Sequence, residues 1–201
     1  MKYIYIIAEG QHDIEFLAKL IKKVFSLSKI QKCSSVDSFW DSLIPKNFPI
    51  DDDLFKRVSV PLFLQNHEYS IALHSANGIE KIVNTLEESI CLINSSNLFS
   101  IGLILDADQK EKPLERFNNL IGKLKKCEQL NFLDFPSINL GEVKHNKIKF
   151  GVFIIPNNQN VGTLEEILIE CAKVNYSNLL QLAEEYINKI DPTQLNNSDL
   201  K

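Results

Sequence analysis

The sequence predicts an α/β domain with a mostly parallel central sheet flanked by helices on both faces, and three observations lead there. Two apolar runs, Lys2–Ala8 and Phe99–Leu105, carry almost no polar interruption, the pattern of strands buried on both faces. Each run ends abruptly in acid, the first in Glu9-Gly10 and the second in Asp106-Ala107-Asp108. Segments of helical apolar period alternate with these runs, and βαβα alternation favours parallel pairing.

Taken in order, the first strand is Lys2–Ala8. From Asp13 the positions Ile14, Phe16, Leu17, Leu20, Ile21 and Val24 keep helical spacing, with Asp13 able to cap the N-terminus and Lys22 and Lys23 suited to the last turn. Between about 30 and 66 the signal breaks into short apolar pieces around Pro45, Pro49, Pro61 and the acidic triplet Asp51, Asp52 and Asp53. That stretch reads as an insertion, with a helix near 36–43 and a strand near 58–64. Tyr69–Leu73 reads as a strand. Asn77-Gly78 opens a helix with Ile79, Ile82, Val83, Leu86, Ile90 and Ile93 on its apolar side. Pro113 suits the first helical position before Leu114, Phe117, Leu120, Ile121 and Leu124. Glu142–Lys144 and Lys147–Ile155 read as an added hairpin around His145-Asn146, followed by a Pro-Asn-Asn loop and a helix from about Thr163. A last helix is expected over about 177–190. The resulting division is a domain over 1–175, containing the insertion, and a C-terminal helix with a polar tail over 176–201.

With 201 residues, 44% hydrophobic and 24% charged, the composition matches that of soluble globular chains and not of disordered ones. The net charge of −4 and pI of 5.6 provide no global basic field, so nucleic acid would be met locally or through a partner. The first apolar run is too short for a signal sequence, and no stretch reaches the roughly 18 to 20 apolar residues of a membrane span, so a cytoplasmic protein without membrane contact is expected. Cys33, Cys91, Cys127 and Cys171 are scattered without a C-x-x-C pair, which argues against a zinc ribbon or disulfide framework and reads as buried reduced thiols.

In open parallel sheets, ligands bind beyond the carboxyl ends of the strands. Glu9, then Asp106 and Asp108, and finally Glu165 after the last loop put acid at three such ends. Alternation along an extended segment sends Asp106 and Asp108 to one side and Ala107 to the other. Clustered carboxylates need a cation, and hard oxygens without histidine or cysteine neighbours suit Mg²⁺ or Mn²⁺ and phosphoryl chemistry. Taken singly, an Asp-x-Asp is more often a turn or a helix cap than a metal site. Lys110, Lys112 and Arg116 follow closely, and Lys144, His145, Lys147 and Lys149 form a second basic run; both read as phosphate contacts or as solvated faces. His12 lies in the Glu-Gly loop, where it could touch a phosphate or water.

The run E-G-Q-H-D-I-E-F-L resembles the E-G-x-x-D of topoisomerase-primase (Toprim) domains, with Asp13 at the matching position, and Asp106-Ala107-Asp108 resembles their Asp-x-Asp. The run I-I-P-N-N-Q-N-V-G-T-L-E-E-I-L is similar to a signature of a bacterial and archaeal Toprim-like family related to OLD-type nucleases, so the likeness covers about 2–171. It implies that Glu9 is the acid–base or metal-bridging carboxylate and that Asp106 and Asp108 are metal ligands. Glu165 would be a further acid toward a second metal, with Glu166 or Glu170 able to substitute. Gly10 and His12 would meet phosphate together with Lys110 and Lys112. The implied function is a Mg²⁺- or Mn²⁺-dependent nuclease acting on DNA or RNA. The alternative is a non-catalytic binding or effector module paired with a partner such as an ATPase in a defence system, and a homodimer is compatible with either. The insertion at 30–66 is longer than the link usual in Toprim domains. A receiver-like phospho-acceptor at Asp106 fits poorly, because receivers carry paired acids after the first strand, where this chain has Glu9-Gly10, and lack a Gly-x-Leu-Glu element after the last; a nucleotide-sugar transferase using Asp-x-Asp would leave Glu9 and Glu165 without a role.

Overall fold

A computed structural model describes residues 1–46, 50–56, 60–108, 111–133, 138–145 and 147–190. The chain divides into a first unit, Met1–Gly162, and a second, Thr163–Lys201, so the division falls earlier than the expected one after residue 175.

The first unit is built on one seven-stranded sheet. In chain order its elements are β1 (Lys2–Ala8), α1 (Gln11–Phe25), β2 (Ser28–Lys29), β3 (Leu62–Gln65), β4 (Tyr69–Ser75), α2 (Ile82–Leu92), β5 (Leu98–Asp106), α3 (Pro113–Leu124), β6 (Val143–His145) and β7 (Lys149–Ile155). The strand order is β2-β3-β4-β1-β5-β7-β6. β4, β1, β5 and β7 run parallel at the centre, whereas β2 and β3 on one side and β6 on the other are antiparallel additions. The fold is thus mixed α/β with a mostly parallel centre and helices around it.

Strand alternation sorts the side chains into two cores. On one face Tyr5, Ile7, Ile101, Leu103, Leu105 and Phe150 join the apolar stripes of α2 and α3. On the other, Ala8, Ile71, Leu73 and Leu64 meet Ile14, Leu17 and Ala18 of α1. Full burial of β1 and β5 on both faces was the expectation, yet it is complete only for the odd-numbered positions Tyr5, Ile7, Ile101, Leu103 and Leu105. Ile4, Ile6 and Ile104 remain half-buried, beside a groove of about 340 Å³ where Gly102 and Gly151 pair across β5 and β7.

The uncertain stretch between 30 and 66 is part of the core and not an appendage. The helix expected near 36–43 is a 3₁₀ segment, Ser38–Leu43, capped by Asp37, whose carboxylate accepts the Phe39 N–H at 2.9 Å. It delivers Trp40 to full burial, with the indole N–H donating to Ser70 Oγ at 2.9 Å. The strand expected near 58–64 is β3, which starts at Leu62; residues 57–59 lie outside the described residues. The hairpin expected at 142–155 is β6–β7, with Val143 opposite Gly151 and His145 opposite Lys149.

Two smaller expectations are corrected. Asp13 does cap the N-terminus of α1, but from the third helical position and not from the N-cap place. Gly10 holds that place, and Asp13, buried in the first turn, accepts the Gly10 N–H at 2.8 Å. Cys127 is buried, but Cys33 is only half-buried and Cys91 and Cys171 are exposed, each a free thiol.

The second unit contains α4 (Leu164–Asn175) and α5 (Ser177–Ile187), which pack on each other. No helix among the described residues is long and apolar enough to cross a membrane.

Candidate carboxylate site

Glu9 continues β1 by one residue. Its N–H donates to the Ile104 carbonyl at 3.2 Å, tying it to the neighbouring parallel strand β5, and its own carbonyl accepts the Gly78 N–H at 2.9 Å. Gly78 has φ +123°, a conformation that favours glycine, so the Asn77-Gly78 pair lets the β4–α2 loop close against the Glu9 backbone.

The Asp-x-Asp segment is fixed just as firmly. Ala107 is fully buried, and its N–H is shared between the carbonyls of Ile155 at 3.0 Å and Gly162 at 3.1 Å. Gly162 N–H returns a bond to the Asp108 carbonyl at 3.2 Å, and its φ of +145° again favours glycine. The loop between β7 and Gly162 is shaped by Asn158, whose side-chain oxygen accepts the Ile154 N–H at 2.6 Å. Ile155 and Gly162, at the two ends of the loop that holds the Pro-Asn-Asn run, thus clamp the Asp106–Asp108 backbone. Alternation does place Ala107 inward, but the extended path ends at Asp108, which adopts φ +56°.

A buried arginine joins the two strand ends. Arg116 of α3, only 6% exposed, donates to Asp108 Oδ2 at 2.7 Å and to Glu9 Oε2 at 3.3 Å, and lies 3.9 Å from Glu111 Oε2. It also approaches the Ala107 carbonyl at 3.5 Å. The solvated-face reading of Arg116 is therefore wrong: in helical register with Pro113, Phe117 and Leu120 it lies on the buried stripe of α3. Sequence reasoning missed Glu111 altogether, and a charged residue on that apolar stripe was the one available signal that buried partners must exist. Beside the site is a cleft of about 600 Å³ lined by Asp108, Glu111, Arg116, Asn119 and Lys123.

Burial raises the Glu9 carboxyl above its ordinary value of 4.5, opposed by the Arg116 charge and assisted by the negative charge of Asp108. Between 4.5 and the folded value, the folded chain holds the Glu9 proton more tightly than the unfolded chain. The stability owed to Glu9 is therefore complete at low pH and falls as pH rises through that window. Carboxyl NMR should show a Glu9 midpoint above 4.5, and the unfolding free energy of the protein relative to Glu9→Gln should decline from acid toward neutral pH. A midpoint at or below 4.5 would contradict the burial.

The other predicted residues occupy the following places. Asp106 is the half-buried last residue of β5, paired with Ile155. Gly10 caps α1, His12 is exposed in its first turn, and Lys112 is the exposed N-cap of α3. Lys110 lies outside the described residues. Glu165 and Glu166 are exposed in the first turn of α4, in the second unit. The basic run from Lys144 to Lys149 stands at the wrong end of the sheet. Lys149 pairs with Ser100 and Ile155 with Asp106, so about 20 Å of strand separates that run from the acids.

The donors of Glu9, Asp106 and Asp108 are all carboxylate oxygens, the set suited to Mg²⁺ or Mn²⁺. As they stand, a guanidinium lies between two of them, and no group of three or more acids, histidines or cysteines is arranged to hold a metal ion among the described residues.

Fold and site together define a mixed α/β protein with an acidic crevice beyond the carboxyl ends of two neighbouring parallel strands. The chain belongs to the family described as "Protein of unknown function (DUF3226)", which it matches over residues 3–200. It is also similar to the hypothetical protein PH0156 from Pyrococcus horikoshii OT3, whose crystal structure superposes with a TM-score of 0.55 at 17% identity over 94% of this chain and 75% of that one, a likeness of fold. A further match, 28% identical over 130 residues, is to the nisin biosynthesis protein NisB of Lactococcus lactis subsp. lactis. It covers 60% of this chain, which spans 13% of that protein.

Proposed function

We propose that the crevice is a Toprim-like site for metal-assisted chemistry on a nucleic-acid phosphodiester, with Glu9, Asp106 and Asp108 as the carboxylates for Mg²⁺ or Mn²⁺. The observation that carries this reading is the convergence of Glu9 and Asp108, from adjacent parallel strands, on a single buried guanidinium. Two carboxylates share one volume that requires positive charge. A divalent ion held there would polarise a phosphate oxygen and activate water. Burial that raises the Glu9 carboxyl above its ordinary value makes it a better proton acceptor than a free glutamate. The backbone clamps at Gly78 and Gly162 hold the acids in place before any ligand arrives.

The test is Mn²⁺ or Mg²⁺ binding by calorimetry to the protein and to Asp106→Ala, with cleavage of plasmid, single-stranded DNA and transfer RNA followed in parallel. Binding lost in the variant, together with metal-dependent cleavage, is the expected result; absence of binding to the unaltered protein rejects the site.

The second reading is a non-catalytic Toprim-like module that binds a partner such as an ATPase. Arg116 favours it, because a guanidinium already satisfies Asp108 and Glu9. Metal binding without cleavage of any of the three substrates would select it.

A further inference from the structure

We propose that Arg116 is a resident cation that competes with a divalent ion for Glu9 and Asp108, a role that rests on the metal reading above. Three carboxylates, Glu9, Asp108 and Glu111, face one guanidinium, which leaves a formal excess of two negative charges. The planar fork of arginine can span carboxylates from separate strand ends, whereas a small dication draws oxygens inward, so both cannot occupy the same volume.

A second observation separates Arg116 from an arginine held purely for structure. Its side chain is 6% exposed, yet Nε is buried with no hydrogen-bond partner among the described residues. A buried donor left unpaired is costly, so the guanidinium is incompletely satisfied where it sits. Its strongest partner, Asp108, is 54% exposed and can turn without disturbing the core. Arg116 is among the residues that line the cleft of about 600 Å³. A divalent ion held by Glu9 and Asp108 would therefore displace Arg116 toward the cleft, one cation exchanging for the other.

Competition of this kind lowers metal affinity in the unaltered protein. Calorimetry with Mn²⁺ should show Arg116→Gln binding about tenfold more tightly, with Arg116→Lys in between, because an ammonium neutralises but cannot bridge. Equal or weaker binding in an Arg116→Gln protein of native circular dichroism overturns the competitor while leaving the metal site intact. Absence of Mn²⁺ binding in all three proteins overturns both.

Should Arg116→Gln fail to fold, the unaltered protein answers by NMR. The chain has two arginines, Arg57 and Arg116, so Arg57→Lys assigns the Nε–H signals. Saturation with Mg²⁺ should shift the Arg116 signal and expose it to exchange with water. A signal unchanged at saturating Mg²⁺ rules the exchange out.

Discussion

Trp40→Ala is expected to lower the unfolding free energy by about 3–5 kcal/mol, the range for truncating a large aromatic in a closed core. Three contributions converge on the indole. It is fully buried, and its ring meets Phe39 edge-on at 4.6 Å between centroids and Tyr3 at 5.9 Å, with Phe63 at 6.4 Å. Its N–H donates to Ser70 Oγ, which is itself buried and would be left without that donor. The 3₁₀ segment Ser38–Leu43 has no long hydrogen-bonded ladder of its own, so it depends on this packing to stay on the sheet. Trp40→Phe keeps a ring and loses the hydrogen bond and should cost about 1–3 kcal/mol. Urea denaturation of both variants measures the difference. A cost below about 1 kcal/mol for Trp40→Ala would mean that the cavity collapses and that the segment is not anchored there.

Trp40 also marks where sequence reasoning stops. β1, β5 and α3 are legible because each concentrates one signal: a nearly unbroken apolar run in the two strands, and a proline start with an apolar stripe in the helix. Residues 30–66 spread theirs over 3₁₀ turns too short to repeat a period, so their apolar residues look like fragments although Trp40, Ile44, Leu54 and Phe63 all enter one core. The acids are legible for a different reason. Parallel strands deliver their ends to one edge, so Glu9 and Asp108 can be placed together without knowing the strand order.

Arg116 is illegible by distance along the chain. Glu9 is separated from it by 107 positions, and Asp108 by 8, which is not a helical neighbour spacing. Read beside Lys110 and Lys112, it looks like part of a solvated basic stretch. Only the packing of α3 on β5 and β7 turns it inward, and with it the electrostatics of the crevice change from an acidic cluster awaiting a cation to one already occupied by a guanidinium.

On the proposed metal-dependent reading of the crevice, Asp108→Asn is expected to reduce phosphodiester cleavage by on the order of a hundredfold to a thousandfold while leaving the fold intact. The choice of asparagine follows from the backbone. Asp108 sits at φ +56°, a region that asparagine tolerates and that costs a Cβ-bearing residue such as alanine roughly 1–2 kcal/mol more. Asparagine keeps the size of the side chain and can still accept a bond from Arg116, but it brings no charge to the site. Asp108→Ala would confound loss of the carboxylate with strain in the segment that also positions Asp106 through the buried Ala107. Paired measurements of cleavage rate with Mn²⁺ and of the denaturation midpoint separate these effects. A slow, stably folded Asp108→Asn protein assigns the loss to charge. Unchanged cleavage in the same protein would remove Asp108 from the reaction and leave its pairing with Arg116 as a structural contact.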